Sequence, residues 1–150
     1  MRLAIKAARR GVRAGQTPFG SVIVKGNRVV CAEHNRVWLT TDSTAHAEVT
    51  ALRVACKRLR TIDLSGCTLY STCEPCPMCF SAIHWAKIDT IYFGTTIADA
   101  KSLGFSELTV SDRTMKRLGK SPVRIVSGVL RRENLALFRD FAARPGRRLY

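Results

Sequence analysis

Two short segments of this 150-residue chain combine residue types that bind metals and move protons. The first contains His46 and Glu48, two positions apart where a helical pattern begins, so both side chains can point toward one spot. The second contains Cys76 and Cys79, whose spacing of three places both sulfurs on one side of a helical turn. One imidazole and two thiolates leave the fourth tetrahedral position of zinc to a water, as in catalytic sites. Such a water ionises near neutral pH, and Glu48 is then available as a general base.

A closed metal site without catalysis is the main alternative for these residues. Cys73 lies three residues before Cys76 and would close the site as a fourth ligand. It stands at the end of a predicted strand and before two prolines, so we expect it not to follow the helical turn. The remaining cysteines fall within strand or helix patterns and are expected to be small core residues. They are Cys31, Cys56 and Cys67.

Hydrophobic periodicity predicts the elements that position these residues. The predicted helices are 3–12, 45–59, 78–86, 112–118 and 131–143. The predicted strands are 21–24, 28–31, 68–71, 90–93 and 124–127. A polar loop is predicted over 33–44. Because strands and helices alternate after an opening hairpin, the fold class is α/β. We expect a three-layer α/β/α sandwich around one mixed sheet of about five strands, in a single domain spanning residues 1–150.

Composition narrows the class of protein further. Apolar residues make up 46% and charged residues 24%, which is typical of a folded globular domain and excludes a disordered tail. The 25 Lys and Arg against 11 Asp and Glu give a net charge of +14, which favours polyanionic partners. The chain has neither the roughly 18 consecutive apolar residues of a membrane span nor a signal peptide pattern. We therefore expect a cytoplasmic location, where six cysteines indicate metal binding or catalysis rather than disulfides.

The two metal-binding segments match the pattern His-x-Glu followed by Pro-Cys-x-x-Cys that marks zinc deaminases. From about Pro18 onward the chain resembles the cytidine deaminase-like superfamily, and within it the small bacterial guanine deaminases. The matching stretches are PFGSVIVKGN, TAHAEVTALRVACK, LYSTCEPCPMC, SAIHWAK and RRLY. The resemblance implies one zinc ion per chain, no organic cofactor, and hydrolytic deamination of guanine to xanthine and ammonia. It also implies a homodimer, in some members with C-terminal tails exchanged between subunits.

The resemblance further implies roles for individual residues around a bound base. Those expected to contact or enclose guanine are Phe19, Asn35, His46, Ala47, Trp85 and Tyr150. Among them, Phe19 and His46 would stack on the base, Asn35 would recognise it and Trp85 would close the pocket. Glu107, in the segment Gly-Phe-Ser-Glu, would be a second acid that handles protons at the leaving amino group. Tyr150 would belong to a tail that covers the site.

The substrate is the least determined part of this interpretation. The tRNA adenosine deaminases share the zinc motif, and arginine pairs such as Arg9-Arg10 could contact phosphates. Those relatives usually carry a loop of small residues where this chain has the segment with Glu107. Cytosine, cytidine, guanosine and aminotriazines remain alternative substrates. A noncatalytic zinc protein that binds nucleic acid is the alternative from another class, but a structural site has no use for an unligated base such as Glu48.

Overall fold

Five strands form one mixed sheet in the computed structural model, which describes residues 1–150. The strands are β1 (Gly20–Lys25), β2 (Arg28–His34), β3 (Cys67–Cys73), β4 (Thr90–Thr95) and β5 (Arg124–Val126). Their spatial order is β2-β1-β3-β4-β5. β1 is antiparallel to both of its neighbours, whereas β3, β4 and β5 run parallel. The carboxyl ends of β3 and β4 therefore lie side by side at one edge of the sheet, where ligands commonly bind in open α/β folds.

Seven helices accompany the sheet. They are α1 (Arg2–Arg13), α2 (Val37–Thr40), α3 (Ala47–Leu59), α4 (Pro77–Trp85), α5 (Ile97–Ser102), α6 (Asp112–Gly119) and α7 (Arg131–Ala142). α1 and α7 contact each other and the sheet, while α3, α4 and α6 form the other layer. This arrangement confirms the predicted α/β sandwich. None of the helices has both the length and the apolar composition needed to cross a bilayer.

Two apolar clusters hold the layers together. The larger one packs the sheet against α3 and α4, with Ile23, Leu69, Ile83 and Ile91 fully buried. Each such side chain stabilises the fold by about 1.5–3 kcal/mol. The smaller cluster contains several phenylalanines, with Cys73, Ala47 and part of the C-terminal tail. This second cluster includes two of the predicted base-binding residues, Phe19 and Ala47.

The predicted elements are confirmed except in two places. The predicted loop 33–44 contains the end of β2 and the single-turn helix α2, and the short helix α5 was not predicted. α5 has only six residues, too few for a periodic pattern, and depends on a capping box between Thr96 and Asp99. α2 is likewise held locally, since the Val37 amide donates a hydrogen bond to the Asn35 side chain.

Candidate active site

The three predicted metal ligands meet where two helices begin. His46 precedes α3 and Cys76 precedes α4, both in extended backbone conformations, and Cys79 lies in the first turn of α4. Pro77 occupies the first position of α4, where its fixed φ suits a helix start and its missing N–H is not needed. The local sequence thus directs one imidazole and two thiols into a common space.

The distances between these donor atoms fit a tetrahedral zinc site. Nδ1 of His46 lies 3.7 Å from Sγ of Cys76 and 3.6 Å from Sγ of Cys79. All three donor atoms lie within 4.8 Å of one another. Zinc bonds of about 2.3 Å to sulfur and 2.0 Å to nitrogen at tetrahedral angles require a separation of roughly 3.6 Å between nitrogen and sulfur. The hydrogen bond from Cys79 also lowers the pKa of Cys76 to about 4, which favours the metal-binding thiolate.

Cys73 does not join this group. Its thiol is buried and donates a hydrogen bond to the Thr96 carbonyl, 3.4 Å away. The group that could hold a metal contains three residues, the number of protein ligands in catalytic zinc sites. The expectation that Cys73 lies outside the helical turn agrees with this geometry.

Glu48 lies beside the ligands in the first turn of α3 and is buried. Its Oε1 accepts a hydrogen bond of 2.7 Å from the Ser71 hydroxyl, and its Oε2 lies 3.6 Å from the Cys79 sulfur. Burial raises the pKa of Glu48, while the charge of His46 and the Ser71 hydrogen bond act in the opposite direction. A buried carboxyl group with a raised pKa next to a metal site is suited to receive and return a proton. Sequence reasoning missed Ser71, although alternation along β3 places it on the same face as Leu69 and Cys73.

Four of the predicted residues line one small cavity against the metal ligands. Phe19, His46, Glu48 and Glu107 all face it. Phe19 is fixed by edge contacts with two other phenylalanine rings, at centroid distances of 4.9 and 5.8 Å. Ala47 is fully buried in the same cluster as Phe19. Residues far apart in the sequence are therefore brought together beside the metal ligands.

Glu107 enters this cavity from the irregular segment between α5 and α6. Partial burial is the main cause that raises the pKa of Glu107 to about 7, and the nearby Cys76 adds to it. A carboxyl group whose pKa lies near neutrality can exist in both protonation states under ordinary conditions. Glu107 can therefore carry a proton at a point distinct from Glu48.

The C-terminal tail folds over the site of its own chain. The Tyr150 hydroxyl accepts a hydrogen bond of 2.5 Å from Nδ2 of Asn35, and the Tyr150 carbonyl accepts one of 3.1 Å from the Ser106 amide. The Tyr150 ring lies 5.5 Å from the His46 ring. The guanidinium group of Arg148 lies over the Trp38 ring at 4.6 Å.

The tail leaves little free space beside the metal ligands. A cavity of about 170 Å³ remains at the mouth, and one of about 10 Å³ lies between Phe19 and Glu48. The inner space is comparable to that of a single water molecule. Tyr150 is the residue of the tail that lines the cavity at the mouth.

Trp85 does not line this site, so the expectation that it closes the pocket is wrong for the pocket of its own chain. It is the last residue of α4 and is 81% exposed. Nine residues of helix separate it from Cys76, a distance of about 13 Å along the axis. Trp85 instead borders a surface cavity of about 600 Å³, together with Lys87 and Asp89. That cavity contains none of the metal-ligating residues.

The fold and the three-ligand site together define a zinc-dependent deaminase. Residues 1–95 match the family described as "Cytidine and deoxycytidylate deaminase zinc-binding region", and the chain belongs to that family. The guanine deaminase of Bacillus subtilis is 44% identical over 108 residues, covering 71% of this chain and 69% of the relative. The tRNA-specific adenosine deaminase of Aquifex aeolicus is 41% identical over 93 residues, 62% of each protein.

A solved structure described as a guanine deaminase from Nitrosomonas europaea superimposes with a TM-score of 0.85. The two chains are 29% identical, and the match covers 94% of this chain and 81% of the other. These similarities confirm the predicted fold, the zinc cofactor and the hydrolytic deaminase class. Because relatives with different substrates have similar identities, the choice of substrate depends on the residues of the pocket.

Proposed function

We propose that this protein hydrolyses guanine to xanthine and ammonia. The observation that carries the proposal is the composition of the pocket, where the second carboxyl group of Glu107 faces the cavity shared by His46 and Glu48. The mouth includes Met78, Leu108 and Glu107 but no Lys or Arg. A polynucleotide substrate is held largely by Lys and Arg contacts to its phosphates, and the mouth offers none. A mixed rim that carries a carboxyl group suits a small uncharged base better.

The proposed binding mode begins with displacement of Tyr150. Guanine would then stack between Phe19 and His46, against Ala47, and take over the Asn35 amide that the Tyr150 hydroxyl now occupies. The tail would cover the bound base and exclude water, which strengthens electrostatic interactions inside the pocket.

The proposed chemistry divides proton handling between two carboxyl groups. Zinc held by His46, Cys76 and Cys79 supplies a Lewis acid and lowers the pKa of water. Glu48 accepts a proton from the attacking water and transfers it to the adjacent ring nitrogen. Glu107 delivers a proton to the amino group, which leaves as ammonia, and regains one from the added hydroxyl group as that oxygen becomes the new carbonyl of xanthine. Water and guanine are thus fully accounted for by xanthine and ammonia.

A panel of substrates tests this proposal directly. Ammonia release is measured with guanine, guanosine, cytosine and adenine, and inosine formation with a tRNA anticodon stem-loop. We expect guanine to have the highest kcat/KM. Faster conversion of adenosine in the stem-loop would overturn the assignment and favour the second candidate, a tRNA adenosine deaminase, which the net charge of +14 and the Aquifex relative support.

Residues 1–150 form one catalytic domain in this proposal. The homodimer stays a prediction. Tyr150 already reaches the pocket of its own chain, so the tail can cover the site without exchange between subunits. Sedimentation equilibrium of the zinc-loaded protein tests the dimer, and a single monomeric species would contradict it.

A further inference from the structure

Glu74 links three separate parts of the chain next to the metal site. It lies in the loop after β3, between Cys73 and Cys76. Its Oε2 accepts a hydrogen bond of 3.2 Å from the Ile97 amide, and its Oε1 accepts one of 3.0 Å from the Asp112 amide. These amides belong to the first residues of α5 and α6, respectively, whose N–H groups have no partner within their own helices. One carboxyl group therefore satisfies two helix starts.

The segment between these helices is the one that carries Glu107. Residues 103–111 form neither helix nor strand, and they contain one internal backbone hydrogen bond, from the Val110 amide to the Leu108 carbonyl. Near its middle, the segment is attached through the Ser106 amide to the Tyr150 carbonyl of the tail. In the proposed binding mode Tyr150 leaves Asn35, and the segment is then held by its two flanking helices and by Phe105, which is buried among the rings of the smaller cluster. The starts of both flanking helices are bonded to Glu74.

Asp112 cannot take over this anchoring role. Its side chain is fully buried, and neither carboxyl oxygen has a hydrogen-bond partner. Burial, followed by the charge of Glu74, raises the pKa of Asp112 to about 9, so it is a neutral acid at pH 7. The hydrogen bonds that fix the start of α6 relative to the metal loop thus depend on Glu74.

We propose that Glu74 is a positioning residue that holds the starts of α5 and α6, the two helices that flank the 103–111 segment, and thereby keeps Glu107 in the cavity it shares with Glu48. The inference rests on the proposed role of Glu107, but its structural half can be measured without activity. Sequence reasoning missed Glu74, because its position between two cysteines gives no sign of its hydrogen bonds with the amides of residues 97 and 112.

Glu74→Gln tests the proposal, because glutamine keeps the size of the side chain but offers one acceptor oxygen instead of two. We expect kcat for guanine to fall about 10–100-fold, as for a displacement of about 1 Å in a reacting group. KM and zinc content should stay unchanged, since Phe19, Asn35 and the metal ligands keep their places. Hydrogen exchange should accelerate across residues 103–112.

Asp99→Asn is the matched control. Asp99 also holds the start of α5, through Thr96, and pairs with Arg131, but it makes no contact with α6. Its replacement should lower thermal stability and accelerate exchange at the start of α5 alone, with kcat unchanged. A residue with a merely structural role would affect kcat no more than this control does.

The double variant Glu74→Gln/Glu107→Gln separates the two proposals. If Glu74 acts through Glu107, the double variant is no slower than Glu107→Gln alone. Full activity of Glu107→Gln, with faster exchange in Glu74→Gln, would remove the proposed function and leave the positioning role. Unchanged exchange at residues 103–112, or loss of zinc from Glu74→Gln, would overturn the positioning role even if Glu107→Gln is inactive. If Glu74→Gln does not fold, Glu74→Asp replaces it, because the shorter side chain cannot span both amides.

Discussion

The metal-binding half and the substrate-facing half of this pocket are built in different ways. His46, Cys76 and Cys79 sit at the starts of α3 and α4, which pack on the sheet through the larger apolar cluster. Glu107 and Tyr150 lie on irregular segments that are attached through a few hydrogen bonds and ring contacts. The metal-binding half defines the reaction class, and the substrate-facing half carries the residues through which we propose that the base is selected. A shared zinc motif therefore identifies the reaction class more firmly than the base.

Glu48→Gln is expected to have the largest effect, because it removes the proposed general base from the metal-binding half. Proton transfer by one positioned group contributes about 10²–10⁴-fold, and Glu48 acts in more than one step, so kcat should fall by about 10⁴-fold. Zinc content and the unfolding temperature should stay close to wild type. Glu133→Gln on the exposed side of α7 provides an acid-to-amide control. Turnover near the wild-type rate would place the base elsewhere.

Glu107→Gln tests the substrate-facing half in the same way. We expect a decrease in kcat of about 10²-fold, smaller than for Glu48, because Glu107 assists only departure of the amino group. One zinc ion per chain should remain bound. Steady-state kinetics with guanine and metal analysis on the same sample provide the measurement. An unaffected kcat would mean that the likeness to guanine deaminases extends no further than the zinc site.

Removal of residues 147–150 should have a smaller effect, of about 10-fold on kcat, because the lid is lost while both carboxyl groups remain. The core should stay folded, since the tail packs on the outside of the smaller cluster.

Tyr150→Phe keeps the ring but frees the Asn35 amide, so KM for guanine should decrease. Kinetics and thermal unfolding of both variants test this, and an unchanged kcat in the truncated protein would show that the tail is not a functional lid.

Salt should have the smallest effect. With an uncharged base as substrate, kcat/KM should change by less than about twofold between 50 and 200 mM salt, despite the charge of +14. Binding of a tRNA stem-loop would instead weaken with a log–log slope of about −0.7 to −0.9 per phosphate contact. A steep slope for the productive substrate would show that the basic surface takes part in catalysis.

The same contrast explains what the sequence could predict. The metal ligands were found from spacing because each sits at a helix start, where neighbouring positions determine geometry. The sequence pattern did not predict α5, because a capping box between Thr96 and Asp99, rather than hydrophobic periodicity, stabilises its six residues. The partners of Glu74 lie 23 and 38 positions away, and only the folded chain brings them together. Trp85 does not line the pocket of its own chain, because the length of α4 separates it from the metal ligands.

The Asn35 side chain has a consequence for chemical selectivity. Its Oδ1 accepts a hydrogen bond from the Val37 amide, so the oxygen and nitrogen of the side-chain amide cannot exchange places. Only the N–H groups of Asn35 are then free to face a ligand. If Asn35 contacts the base as proposed, a base with a carbonyl or ring nitrogen at this edge would be accepted, whereas one with an amino group would set two donors against each other. An unmet donor costs about 1–3 kcal/mol when buried. Inhibition constants of bases that differ only in this group would report that discrimination.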